Sequence, residues 1–232
     1  MRIKLLITLL IPFSFQLIGG NLEELKPSKA TLTMDIGDMK IWLERKENNI
    51  WEMGSTVKGG RVFQRQEISV FELNQNSIVP LEHKIRTKIL FKEIKASAHF
   101  DWETFTLDYK EGENKGSIKL IDGTLGPATA QLKMRLDIRL MDINALPESI
   151  KYFVYFRGEI KERTYLLKGF EDTETPLGTF NTLKVEREFL PEEDREQIYW
   201  FAPELDFSIV RILDTNNGRT SDLLLKSLEF VD

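Results

Sequence analysis

Cysteine is absent from the 232 residues, and histidine occurs only twice. The first absence excludes a disulfide framework, a thiolate nucleophile and anchoring through a lipid-modified cysteine. The second leaves His83 and His99 as the imidazoles on which serine catalysis or a metal centre could draw. No G-x-S-x-G turn accompanies them. The acid runs Glu171-Asp172-Thr173-Glu174 and Glu192-Glu193-Asp194 lack the spaced loop that wraps calcium and read as solvated loops. Gly19-Gly20 and Gly59-Gly60 lack the lysine or helix of a phosphate cradle. Asn-x-Ser/Thr acceptors are missing, which gives no support to a eukaryotic secretory route. No apolar run reaches the roughly 20 residues that cross a bilayer comfortably.

What is present begins with an export signature. Arg2 and Lys4 make a positive end, Leu5 to Leu17 an apolar middle, and Ile18-Gly19-Gly20 a small-residue exit. Residues 1–20 are therefore expected to be a signal peptide and 21–232 a single domain, placed in a bacterial periplasm. The formal charge is -5 and becomes two units more negative without Arg2 and Lys4. Lysines and arginines are scattered among acids, so nucleic acid is a poor partner and adsorption to anionic lipid by overall charge is not expected. With 41% hydrophobic residues the chain can bury an ample core.

From Ala30 onward the dominant pattern has period two, the signature of half-buried strands. Met39, Ile41 and Leu43 share one face, and Lys40, Trp42 and Glu44 the other. Turns follow at Asn48-Asn49, Gly59-Gly60, Asn74-Gln75-Asn76, Gly112-Glu113-Asn114 and Asn216-Asn217-Gly218. Further strands are expected over Ser149 to Phe156 and Thr164 to Glu171, then through a hairpin whose loop is Pro191 to Arg195. A long twisted meander must curl to cover its apolar face. Lys, Glu and Arg in mid-strand, as in Phe63-Gln64-Arg65-Gln66-Glu67, argue against membrane staves, because a cation at lipid depth costs about 2 to 4 kcal/mol.

Pro127 to Ile143 is ambiguous. Leu132, Met134, Leu136, Ile138 and Leu140 alternate with charged residues, which reads as a strand. Yet Ala128, Leu132, Leu136 and Leu140 repeat at four, and Pro127 suits a first helical turn.

The ordered motifs T-P-L-G-T-F-N-T-L-K-V-E-R from Thr175 and W-F-A-P from Trp200 are similar to a bacterial exported family, the domain of unknown function 3108 family. Ile78-Val79-Pro80-Leu81, Phe100-Asp101-Trp102 and Lys168-Gly169-Phe170-Glu171 resemble its other steps. Where the family has an Asp-x-x-Ser step, this chain reads Gly126-Pro127-Ala128-Thr129-Ala130. The resemblance implies an extracytoplasmic β-rich protein with no catalytic residue to carry over, and it tips Pro127 to Ile143 toward helix. The expected fold is mainly β: an antiparallel meander forming a strongly curved sheet or incomplete barrel, with one helix packed against it.

For chemistry, His99, Asp101 and Glu103 share one face of a strand, a spacing that could orient an imidazole or begin a metal site. A zinc site needs three or four converging ligands, so the row reads more simply as a solvent-facing polar stripe. His83, between Glu82 and Lys84, reads as a surface residue. No catalytic residue, metal or cofactor is assigned. Trp42, Trp51, Trp102 and Trp200 all fall on expected strands. If they converge they could hold an apolar or amphiphilic ligand in the concavity; otherwise they fill the core. Three functions remain: a non-enzymatic envelope protein binding such a ligand or a protein partner through its concave sheet, a structural or assembly factor without a small ligand, and a hydrolase using His99, Asp101 and Glu103.

Overall fold

The computed structural model describes residues 25–74, 77–190, 193 and 195–231. The expected signal peptide over 1–20 lies outside the described residues. Eight strands come first: β1 Ser28–Met34, β2 Gly37–Arg45, β3 Ile50–Gly59, β4 Phe63–Asn74, β5 Ser77–Ile89, β6 Lys92–Asp101, β7 Thr106–Glu111 and β8 Asn114–Lys119. The helix α1, Pro127–Leu140, follows. Six strands complete the chain: β9 Ser149–Phe156, β10 Glu159–Thr175, β11 Gly178–Arg187, β12 Arg195–Ala202, β13 Ser208–Asn216 and β14 Arg219–Phe230.

All fourteen strands form one antiparallel sheet, in the order β8-β7-β6-β5-β4-β3-β2-β1-β14-β13-β12-β11-β10-β9. Two meanders are thus sewn together where the first strand pairs with the last, Ser28 opposite Phe230. The free edges are β8 and β9, the two strands that flank α1 in sequence. The connection between them must cross from one edge to the other, and this carries α1 over the concave face.

The sheet curls without closing into a barrel. Its edges are joined through Leu125, whose N–H donates to the Phe153 carbonyl at 2.8 Å and whose carbonyl accepts from the Tyr155 N–H at 2.8 Å. Tyr155 packs with Phe100, Leu107 and Leu120 from the other edge. This contact covers edge groups that would otherwise invite pairing with another chain.

The ambiguity at Pro127 to Ile143 resolves as a helix, for a reason that also explains the strand-like alternation. Leu132 and Leu136 pack with Leu43, Trp51, Phe71, Leu73 and Ile78. Met134 and Ile138 pack with Tyr165, Leu183, Val185, Tyr199 and Phe201. Residues two apart lie about 200° apart around a helix, so period two gives two opposed stripes. α1 is buried on both, and Met134, Leu136 and Ile138 are each 0% exposed. Its start uses the Gly126-Pro127-Ala128-Thr129 step that departs from the family pattern. Pro127 occupies the first turn, and the Gly126 N–H donates to Thr129 Oγ1 at 2.8 Å.

Buried arginine fixes the helix in place. Arg135 donates through Nε to the Asp206 carbonyl at 3.0 Å and through Nη2 to Asp206 Oδ2 at 2.8 Å. Arg139 reaches Asp206 Oδ1 at 2.8 Å. Burial pulls the Arg135 guanidinium down, and the charge and hydrogen bond of Asp206 oppose that. The Thr175 to Arg211 stretch has its own fastening: the turn after Thr175 returns to the sheet, with the Leu177 N–H donating to the Leu225 carbonyl at 3.1 Å.

Candidate functional site

The interior is not uniformly apolar. Strand positions that face α1 continue, toward the end where β11 leaves and β12 enters, into polar and charged residues of the same parity. On β11, Leu183 and Val185 lead to Arg187; on β12, Phe201 and Tyr199 lead back to Gln197 and Arg195; on β10, Tyr165 leads back to Arg163. Arg163 is 8% and Arg187 9% exposed. Glu193 joins both, with Arg163 Nη1 at 2.6 Å from Oε1 and Arg187 Nη2 against Oε2. Arg195 holds Asp214 in a fork, Nε to Oδ1 at 3.0 Å and Nη2 to Oδ2 at 2.6 Å. Burial works against the charge on Arg195, and the hydrogen bonds and attraction of Asp214, with Tyr199 and Glu67, outweigh it.

Glu67 comes from the opposite wall, on β4. Its Oε2 accepts from Arg65 Nη2 at 3.0 Å. Its Oε1 lies 3.7 Å from His83 Nε2, while His83 Nδ1 is 2.8 Å from Ser69 Oγ. His83 is 5% exposed, a correction to its reading as a surface residue. On β5 it pairs with Ser69 across the ladder, on the face whose next neighbour is the buried Ala98. Burial holds the His83 imidazole below its ordinary value, partly offset by Glu67. Serine, histidine and carboxylate in line is a hydrolytic grouping. Here Ser69 is only 2% exposed, and Ser69, His83 and Glu67 line neither of two recesses found among the described residues.

His99, Asp101 and Glu103 lie along a largely solvent-facing polar stripe, as the simpler reading of the sequence has it. His99 is exposed, and Asp101 accepts the N–H groups of Glu103 and Thr104, each at 3.0 Å, as a turn cap. No group of three or more His, Asp or Glu residues among the described residues is placed to hold a metal.

The four tryptophans go to four separate places. Trp51 lies in the core beside α1. Trp200 packs with Leu32, Val210 and Leu225, its N–H on Glu171 Oε1 at 2.6 Å. Arg211 stands 4.7 Å and Lys184 5.8 Å from its ring centroid. Trp102 stacks on Phe100 and donates to the Pro80 carbonyl at 2.7 Å. Trp42, on the face opposite Leu43, lies over Gly54, where a Cβ would fall 2.1 Å from the indole. It lines an outer groove of about 460 Å³ over β14, β1 and β2.

Sequence reading also missed Glu193, which was placed in a solvated loop and instead bridges two buried arginines. The available signal was parity: Arg163 and Arg187 each sit two residues, and Arg195 four, from a core residue on the same strand face.

The fold is similar to that of a beta-barrel-like protein of domain of unknown function DUF1849 from Brucella abortus, with a TM-score of 0.57 and 11% identity over 90% of this chain and 99% of that one. A putative lipoprotein from Parabacteroides distasonis ATCC 8503 aligns at a TM-score of 0.32 and 14% identity, over 88% and 96% of the two chains. No curated protein matches the sequence. Residues 24–223 match the model described as Protein of unknown function (DUF3108), and the chain therefore belongs to that family.

Proposed function

We propose that this is an exported, non-enzymatic envelope protein whose curled sheet is a sealed body, and which works by presenting its surface to a macromolecular partner. The observation that supports this reading is the double burial of α1. Leu132 and Leu136 fill one side of the concavity and Met134 and Ile138 the other, so the space that would take an apolar ligand is occupied by the chain itself. The buried arginines, ion-paired to Glu193 and Asp214, line the remaining interior with charge rather than apolar wall. The export signature of residues 1–20 supports a periplasmic location.

Native mass spectrometry of the protein purified from its own cell envelope tests the reading. The expected spectrum carries the polypeptide alone. A stoichiometric adduct that denaturation releases as a lipid would overturn the sealed body in favour of a carrier.

A further inference from the structure

The loops β1–β2, β3–β4 and β5–β6 leave the sheet at one and the same end, because successive strands alternate in direction. They carry Ile36, Val62, Leu90 and Phe91, all exposed; Leu90 is 67% and Phe91 104% exposed. The tips are contiguous. The Leu90 N–H donates to the Val62 carbonyl at 2.7 Å, and Ile36, Gly59, Val62 and Phe63 line an open apolar groove of about 430 Å³.

The β5–β6 turn is the most telling. Ile89 pairs with Lys92, so Leu90-Phe91 is a two-residue hairpin loop, and Leu90 is held at a φ of 54°. Such loops favour Asn or Gly, which tolerate positive φ. The β13–β14 hairpin obeys that rule with Asn217-Gly218, at φ 50° and 69°. At Leu90-Phe91 the chain instead carries two large apolar side chains in a strained turn, where neither is buried by the fold. Strain together with full exposure points to a contact made outside the molecule.

Charge identifies that contact. Lys58, Arg61, Lys88 and Lys92 flank the tips and are exposed. Across residues 35–38, 58–63 and 86–95 six cations stand against three acids, Asp35, Asp38 and Glu93, although the chain as a whole is acidic. Apolar tips with an excess of lysine and arginine at β3–β4 and β5–β6 are complementary to an anionic bilayer surface, with side chains entering the head-group boundary and cations meeting the phosphates.

We propose that this rim docks the protein onto anionic phospholipid membrane. The proposal rests on the surface-acting function above and names its partner class. It also refines the expectation drawn from net charge, because a local excess of cations at three tips acts within a Debye length.

Flotation with vesicles tests it. The purified protein should float with phosphatidylcholine vesicles containing 30% phosphatidylglycerol in about tenfold excess over pure phosphatidylcholine, and lose most of that binding in high salt. The double substitution L90N/F91G installs the favoured turn, so it should leave the melting temperature equal or higher while reducing flotation at least tenfold. K88E/K92E should reduce binding to anionic vesicles alone. Equal flotation of wild type and L90N/F91G would overturn the proposal, as would a wild type that stays in the soluble fraction. So would a dimer in analytical ultracentrifugation that L90N/F91G converts to monomer without any vesicle binding, since it would make a second copy the occupant. None of these results bears on whether the interior is filled, which the mass spectrum reads separately.

Discussion

His83 carries a proton-linked consequence. Its folded-state value lies below the ordinary 6.5, so below that pH the unfolded chain takes up a proton that the folded chain refuses. Stability should therefore fall as pH drops from 7 toward 5, with a slope approaching about 1.4 kcal/mol per pH unit for one proton. Urea midpoints at pH 7 and pH 5 measure it, and H83Q, which can keep a hydrogen bond to Ser69, should flatten the difference. Glu193 makes the complementary test. E193Q leaves Arg163 and Arg187 without their shared carboxylate and should cost roughly 3 kcal/mol in chemical denaturation. At this scale little was legible in advance. A polar residue among polar neighbours, as in Glu82-His83-Lys84, looks exposed until the pairing partner is known. Only the ladder places Ser69 and Ala98 beside it.

Individual elements were more legible. Hairpins announced by Asn217-Gly218, Gly59-Gly60 and Gly112-Glu113 stand where turn chemistry puts them, because the conformational demand is local. α1 was legible as apolar but not at once as helix, since a helix packed on two opposed sides repeats every two residues as a strand does. Close approach between elements was invisible: Trp42 lies flat on Gly54 of the neighbouring strand, and nothing in either residue's local sequence says so. G54A should cost about 1 to 3 kcal/mol by forcing the indole aside. A thermal scan showing G54A unchanged would contradict that packing.

For the molecule as a whole, the curl follows from arithmetic that the sequence does contain: too many half-buried strands for a flat sheet, and one helix to fill the hollow. What it does not contain is the order of the strands. Pairing of the first strand with the last makes β8 and β9 the edges, and that alone sends α1 across the hollow. It also sets the three apolar tips side by side on one rim, although Ile36, Val62 and Phe91 are well separated in sequence. The family motifs from Thr175 onward mark the hairpin that returns to Leu225, so their role here is architectural.

The filled concavity has the most direct test in the cysteine that nature left out. L136C places one thiol, unique in the chain, at the inner surface of α1, where Leu136 is 0% exposed. A sealed body predicts that maleimide labels it only as fast as the protein unfolds globally, with denaturant accelerating labelling in step with the loss of structure. Rapid labelling of the native protein, at a rate near that of a surface cysteine, would mean that the concavity is open and that the account is wrong.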